Sequence, residues 1–155
     1  MRATLLDLLL PGACVGCGTP GDWLCGRCAA PLARPHRHTP WPVPPDLPVL
    51  WTAGSYVGAA RAAVLAYKEK GRRDLATVLG VALGRAVGQA AGWSGELWRV
   101  PVPSRRSAAR ARGGDHVRRL ARVAVGQLCR RGVRAEVCPV LWVAGRPRDS
   151  AGLGA

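Results

Sequence analysis

The chain has 155 residues, which is enough for one modest domain with a small appendage. Hydrophobic residues make up 48% of it, so the chain can bury a core, and disorder throughout is excluded. The formal net charge of +14 indicates nucleic acid, phosphorylated ligands or an anionic surface as partners. The arginine-rich codon usage of a GC-rich genome would produce the same charge, so the charge alone assigns no function.

The N-terminal segment predicts a short apolar helix over residues 3–10, which Pro11 and Gly12 end. Asp7 interrupts its leucines, so the segment lacks the run of about 7–15 apolar residues that a signal peptide needs. No run of about 18 apolar residues predicts a membrane span. The sequence therefore predicts a cytoplasmic protein, in which cysteine clusters bind metal more often than they form disulfides.

Four cysteines follow as two Cys-x-x-Cys pairs, with seven residues between the pairs. Each pair offers two sulfur ligands at one turn, and Zn²⁺ takes about four ligands in a tetrahedron. Two such turns leave no open position, so the pattern predicts a structural zinc ion that supplies the folding energy of this small module. The predicted ligands are Cys14, Cys17, Cys25 and Cys28. A redox dithiol, an iron–sulfur site and two disulfides are the alternatives, whereas Cys129 and Cys138 are predicted to be small core residues.

The remaining chain predicts an α/β fold. Residues 1–32 form the helix and zinc module, and six prolines in 33–48 predict an extended linker to a domain over 49–155. Hydrophobic periodicity in that domain predicts, in chain order, a strand at 49–56, a helix at 58–70 closed by Gly71, a helix at 75–91 capped by Asp74, a strand at 97–102, an arginine-rich loop at 104–114, a helix at 116–131 and a strand at 133–143. This order predicts a mostly parallel sheet with flanking helices.

The arginine-rich loop predicts an anion site. Residues 99–134 contain eleven arginines and one acid, Asp115, near which a helix opens. In α/β folds ligands bind beyond the carboxyl ends of strands, helix amino termini accept phosphate, and guanidinium groups bind phosphate oxygens in pairs. The alternative is a solvated arginine-rich helix face, to which Arg118, Arg119 and Arg122 are assigned.

Several motifs occur in a distinctive order. A leucine-rich start precedes the four-cysteine knuckle. A Tyr-x-Gly turn at Tyr56, a Lys-x-x-Gly-Arg segment from Lys68 to Arg72, a Val-Pro-Val-Pro strand at 100–103, an Arg-Gly pair at 112–113 and an Ala-Gly-Leu segment at 151–153 follow. In these motifs the chain resembles, over nearly its whole length, the ComF-like phosphoribosyltransferases, a family named for a bacterial DNA-uptake competence protein.

The resemblance implies a type I phosphoribosyltransferase-like fold that acts on phosphoribosyl pyrophosphate with Mg²⁺, in nucleotide metabolism or in DNA uptake with the competence machinery. The residues that it implies for binding the diphosphate are Arg106, Arg110, Arg112, Gly113, Lys68 and Arg72.

One part of the family pattern is missing. Type I phosphoribosyltransferases hold the ribose through two adjacent acids and cradle the phosphate in a Thr/Gly-rich turn. None of the nine acids here adjoins another, and no Thr-Thr-Gly occurs. The sequence therefore predicts an incomplete, C-terminally truncated sheet and a chain that is inactive alone. Whether the protein is an enzyme stays open. The alternatives are a non-catalytic zinc-containing module that binds single-stranded DNA through phosphate contacts, and a thiol redox protein.

Overall fold

The computed structural model describes residues 12–93, 95–111 and 113–144. The predicted helix at 3–10 and the closing Ala-Gly-Leu segment lie outside these residues. The elements, in chain order, are α1 (Gly26–Ala29), β1 (His36–His38), β2 (Leu50–Thr52), α2 (Gly58–Glu69), α3 (Ala76–Ala90), β3 (Glu96–Arg99), α4 (Arg106–Ala111), α5 (His116–Cys129) and β4 (Arg134–Val137). None of the helices in the described ranges is long and apolar enough to cross a membrane.

Helix α2 buries a face made of small side chains. Ala60, Ala63 and Ala66 recur every three residues and are all buried. The helix ends where the backbone N–H of Lys70 donates to the carbonyl of Ala66 at 3.1 Å. Gly71 follows with φ of +66°, the left-handed conformation that commonly terminates a helix. The predicted helix closed by Gly71 is confirmed.

Helix α3 begins without the predicted N-cap at Asp74. Asp74 lies inside a single 3₁₀ turn, Arg73–Leu75, and Leu75 occupies the cap position without a side-chain hydrogen bond. The Asp74 carboxylate instead accepts bonds from the guanidinium of Arg72, with Nη2 at 2.9 Å and Nε at 3.1 Å. These bonds are charge-assisted and outcompete a backbone amide for the carboxylate, so the capping prediction is wrong.

Helices α3 and α5 pack against each other through small residues. Gly80 of α3 faces Val123 of α5, and Gly84 faces the backbone of Ala124. Ala124 and Leu128 have no exposed surface. Because α3 has no side chains at these two contact points, the helix axes approach closely and the alanine face of α5 is sealed from water.

Strands β3 and β4 form a small parallel sheet, with α5 as the crossover between them. Glu96 pairs with Arg134 at one end and Arg99 pairs with Val137 at the other. Side chains on one face are covered or half-covered, whereas the opposite face, which includes Trp98 at 62% exposure, is open. This β3–α5–β4 unit is the parallel arrangement that the sequence predicts.

The other strands depart from the prediction. Strand β1 lies within the predicted linker and pairs with β2 in a separate antiparallel sheet, so β2 does not join β3 and β4. Strands β3 and β4 end earlier than predicted, close before Pro101 and Pro139, because proline cannot donate to a strand ladder. The predicted loop at 104–114 contains helix α4, whose alanines and arginines are strong helix formers.

One hydrophobic core joins the cysteine module to the helices. It includes residues of both parts, among them Cys14, Leu24, Cys28, Leu32, Ala63, Leu75 and Leu79. The module therefore packs on α2 and α3 and shares their buried interior.

Candidate metal centre

The first Cys-x-x-Cys pair lies on a tight turn closed by backbone hydrogen bonds. The N–H of Cys14 donates to the carbonyl of Thr19 at 2.9 Å, and the N–H of Gly18 donates to the carbonyl of Cys14 at 2.8 Å. A Cβ at Gly16 would lie 2.8 Å from the sulfur of Cys28. A side chain at Gly16 would therefore push the second pair away from the first.

The second pair lies at the start of α1. Cys25 is the extended residue before the helix, and Cys28 lies within its single turn. The N–H of Cys25 donates to the sulfur of Cys14 over 3.4 Å. Because this bond stabilises the charged form of the thiol, it also links the two pairs electrostatically.

The four sulfur atoms form a compact group. The Sγ atoms of Cys14, Cys17, Cys25 and Cys28 all lie within 4.8 Å of one another. Those of Cys17 and Cys25 are 3.7 Å apart. A tetrahedral ion with metal–sulfur bonds of about 2.3 Å needs sulfur–sulfur distances of about 3.8 Å. The four cysteines are therefore arranged to hold a metal ion.

Two of the thiols have pKa values shifted in opposite directions. The Thr19 hydroxyl, 3.1 Å from the sulfur, is the main cause that lowers the pKa of Cys17 to about 5. Burial is the main cause that raises the pKa of Cys28 to about 12. A hydrogen bond to Cys17, followed by the charge on that sulfur, raises the pKa of Arg27. The exposed Cys17 is thus held as a thiolate beside Arg27. A metal that binds at the site would have to displace the proton of the buried Cys28.

The burial of the ligands indicates a structural site. Cys14 is 3% exposed and Cys28 is 8% exposed, whereas Cys17 faces solvent. Four sulfurs fill a tetrahedron and leave no position for a substrate. Cys129 is exposed and Cys138 is half-buried, and in the described part of the chain neither belongs to the group. The prediction that Cys129 is a core residue is wrong, because it is the last residue of α5.

Arg72 connects the cysteine module to the end of α2. Its guanidinium lies over the ring of Trp23, 4.3 Å from the ring centre, and also binds the Asp74 carboxylate at 2.9 Å. The resemblance implies a diphosphate-binding role for Arg72. In the structure its guanidinium is occupied by these two contacts, which hold the module against the helices.

The other residues implied for diphosphate binding are dispersed. Arg112 and the side chain of Arg106 lie outside the described structure. Arg110 is exposed on α4, and Lys68 lines a cleft formed in part by α2 and α5. Among the implied residues, Gly113 is the one around which further cations gather.

Two guanidinium groups meet at the turn after α4. Gly113 has φ of +65° and Gly114 has φ of +129°, conformations that favour glycine. The guanidinium of Arg73 lies where a Gly113 side chain would begin. Nη2 of Arg119 donates to the Gly113 carbonyl at 3.4 Å. The turn at Gly113 and Gly114 is therefore flanked by one cation from the 3₁₀ turn before α3 and one from α5, the helix that follows Gly114.

Sequence analysis missed both of these arginines. Nothing in the sequence separates Arg73 from its neighbour Arg72, and the helical pattern assigns Arg119 to a solvated face. Their convergence depends on the Arg73 side chain reaching the turn at Gly113, about forty residues further along the chain, which a local pattern does not report.

The amino terminus of α5 differs from the phosphate site that the sequence predicts. The Asp115 carboxylate accepts bonds from the N–H groups of Val117 at 3.0 Å and Arg118 at 3.1 Å. Ser104 donates to the same carboxylate at 3.4 Å. An N-cap acid already supplies the negative charge that this terminus favours, so an anion at this loop would be held by guanidinium groups instead.

Arg99, at the end of β3, is an unexpected buried cation. It is 8% exposed, and its Nε and Nη2 have no hydrogen-bond partner in the described structure. Burial lowers the pKa of its guanidinium. Buried polar atoms of this kind are rare and costly.

Comparisons with protein-family models, with curated proteins and with solved structures find no match for this chain. The function of the chain must therefore be inferred from its residues and their arrangement.

Proposed function

We propose that this chain is a zinc-stabilised protein of the ComF-like class, whose turn at Gly113 and Gly114 binds the diphosphate of phosphoribosyl pyrophosphate. The observation that carries the proposal is the convergence of Arg73 and Arg119 on Gly113. The turn lies in the connection that follows the carboxyl end of β3, and α/β folds bind ligands beyond the carboxyl ends of their strands. The order of motifs along the sequence supports the same reading.

Zinc is the ion that we propose for the four cysteines. Four thiolates form a soft tetrahedral donor set, which suits Zn²⁺ and does not suit Mg²⁺ or Ca²⁺. The ion would supply folding energy there, because the sulfurs leave no position for a substrate. An iron–sulfur site uses the same donors, so metal analysis has to distinguish the two.

The chemistry of the turn suits a diphosphate. Guanidinium groups are permanently charged and present paired donors to phosphate oxygens. Because Gly113 has no side chain, the guanidinium of Arg73 can lie against its Cα, and a phosphate would pair with the guanidinium groups of Arg73 and Arg119. Mg²⁺ would arrive with the ligand, as in the family that the chain resembles.

The proposal is limited to ligand binding. Phosphoribosyl transfer in that family uses two adjacent acids to hold the ribose hydroxyls, and this sequence contains no such pair. Arg73 and Arg119 would neutralise a leaving diphosphate, but nothing in the sequence takes the part of the ribose-binding acids.

Binding of single-stranded DNA is the second candidate function. The net charge is +14, and Arg118 and Arg122 of α5 are exposed together with Arg110 of α4. These side chains could contact successive phosphates, with an affinity that falls steeply as the salt concentration rises.

Metal analysis of the purified full chain tests the zinc assignment. We expect about one zinc atom per chain, as a closed four-thiolate site requires. Cys28→Ser should lose the ion, whereas Cys129→Ser, which alters an exposed thiol outside the group, should keep it. Iron in place of zinc, or equal metal contents in the two variants, would contradict the assignment.

Titration calorimetry with phosphoribosyl pyrophosphate and Mg²⁺ tests the diphosphate site. Arg73→Gln and Arg119→Gln should each weaken binding about tenfold or more, since a charge-assisted hydrogen bond contributes about 1.5–3 kcal/mol. Arg122→Gln, on the exposed face of the same helix as Arg119, is the matched control. It should change the affinity less than about twofold.

The same variants separate the two candidate functions. The DNA alternative predicts salt-sensitive binding of single-stranded DNA that Arg122→Gln weakens as much as Arg119→Gln does. It also predicts no saturable binding of phosphoribosyl pyrophosphate by the unmodified chain. That pair of results would overturn the diphosphate proposal.

A further inference from the structure

A second candidate binding site lies beside Tyr67, which lines it. It is a cleft of about 380 Å³ between the turn after β2 and helices α2, α3 and α5. That volume is within the range of about 300–1,000 Å³ typical of small-molecule sites. The cleft is distinct from the diphosphate site, because none of Arg73, Gly113 and Arg119 lines it.

The walls of the cleft are mostly apolar. Aliphatic side chains come from all three helices, including Val64 of α2, Leu83 of α3 and Val117 of α5. Buried apolar surface of this kind contributes about 25 cal/mol per Å² removed from water. The cleft therefore suits the apolar body of a ligand.

A hydrogen bond fixes the wall between α2 and α5. The Tyr67 hydroxyl donates to the carbonyl of His116 at 2.8 Å. The two rings also meet edge to face, with centres 6.1 Å apart and planes at 65°. Because Tyr67 is 4% exposed, this wall is held in place before any ligand arrives, which lowers the entropy lost on binding.

Among the described residues that line the cleft, Lys68 carries a full charge at neutral pH and none is an acid. Its ammonium lies 3.5 Å from the Glu69 carboxylate, in a pair whose side chains are 45% and 51% exposed. Exposed pairs of this kind are weak because water screens them. An anion placed at the rim of the cleft would therefore compete with Glu69 for Lys68.

We propose that the cleft binds a small amphipathic anion, a flat apolar ring system that carries one carboxylate or sulfonate. The rings lie between α2, α3 and α5, and the anionic group pairs with Lys68. The family resemblance implies a diphosphate role for Lys68, and the geometry points to this separate role. The inference does not rest on the proposed function, and either can fail without the other.

Titration of the metal-loaded full chain with two probes tests the proposal. The probes are 2-naphthoate and its neutral counterpart 2-naphthamide, which share the ring system and differ in charge. We expect saturable binding of one naphthoate per chain, up to about fivefold tighter than the amide, which is the most that an exposed ion pair usually contributes. Absence of saturable naphthoate binding would overturn the proposal.

The two lysines of the chain supply a matched pair of variants. Lys68→Met should abolish the preference for naphthoate over the amide, whereas Lys70→Met, one residue beyond the end of α2, should leave the preference unchanged. Equal effects of the two substitutions would show that the anion responds only to net charge and would overturn the assignment to Lys68.

Magnetic-resonance contacts locate the bound rings. We expect nuclear Overhauser effects from naphthyl protons to the methyl groups of Val64, Leu83 and Val117. Contacts to the exposed Trp98 or Trp142 instead would place the ligand on another apolar surface and refute the site. Binding of phosphoribosyl pyrophosphate to Lys68→Met, measured in parallel, should be unchanged, so failure of either proposal is seen separately.

Discussion

The contact between α3 and α5 predicts opposite effects for two glycine-to-alanine substitutions. A Cβ at Gly80 of α3 would lie 2.5 Å from the Cβ of Val123 and 2.6 Å from its Cγ1. A Cβ at Gly126 of α5 would have its nearest such neighbour at 3.8 Å, the mobile Nη1 of Arg130. Gly80→Ala must therefore move the helices, and Gly126→Ala requires no movement.

The magnitude follows from two opposing terms. Alanine is favoured over glycine inside a helix by about 1 kcal/mol, and both substitutions gain this amount. Overpacking costs about 1–3 kcal/mol, and the Cβ of Val123 cannot rotate out of the way. We expect Gly126→Ala to raise the free energy of unfolding by up to about 1 kcal/mol. Gly80→Ala should lie about 1–3 kcal/mol below it.

Urea unfolding of the metal-loaded chain, followed by far-ultraviolet circular dichroism, measures both values. If the free energy of unfolding falls with urea concentration at the same slope in both variants, they differ in stability and not in the compactness of the native or denatured state. If Gly80→Ala stabilises the chain as much as Gly126→Ala does, α3 and α5 do not touch at Gly80 and the packing described here is refuted.

Three further predictions concern single side chains. Arg99→Met should raise the free energy of unfolding, because unmet hydrogen bonds of a buried group cost about 1–3 kcal/mol; urea unfolding measures the gain, and a loss of stability would contradict it. Asp115→Ala should remove the cap of α5 and cost about 1 kcal/mol, whereas Asp115→Asn should keep most of the cap; thermal unfolding compares them, and equal losses would count against capping. Burial raises the pKa of Tyr67 in the folded chain. The buried phenol therefore contributes its full stabilisation below a pH of about 10, the usual pKa of tyrosine. That stabilisation is lost as the pH rises through the higher pKa of the folded state. Absorbance titration of the phenols should show a high-pH component that disappears in Tyr67→Phe, and identical curves would refute the shift.

The elements that sequence analysis predicts well are those whose signals are local. The alanine face of α2 repeats at helical spacing and Gly71 ends it, so both its position and its end follow from the sequence. The four cysteines are equally local, because each Cys-x-x-Cys pair forms its own turn and a tetrahedral ion needs two such pairs.

The features that it missed depend on which of several possible partners a group contacts in the folded chain. Arg73 and Arg119 meet at Gly113 because the Arg73 side chain reaches this turn, about forty residues further along the chain. Asp74 has the sequence of an N-cap, but Arg72 takes its carboxylate. Strand β1 escaped prediction because its pairing with β2 across the Pro-rich segment, and not its own sequence, makes it a strand.

With the proposed ion bound, the core shared by the cysteine module and the helices would couple the lifetime of the chain to the supply of metal. Cys14 and Cys28 lie in the same buried cluster as Ala63 and Leu79, so removing the ion would open one wall of the interior that α2 and α3 also depend on. We expect chelation to make backbone sites in α2 susceptible to proteolysis as well as those in the module. A cell starved of the metal would then clear this protein by degradation, and limited proteolysis with and without a chelator measures how far that opening extends.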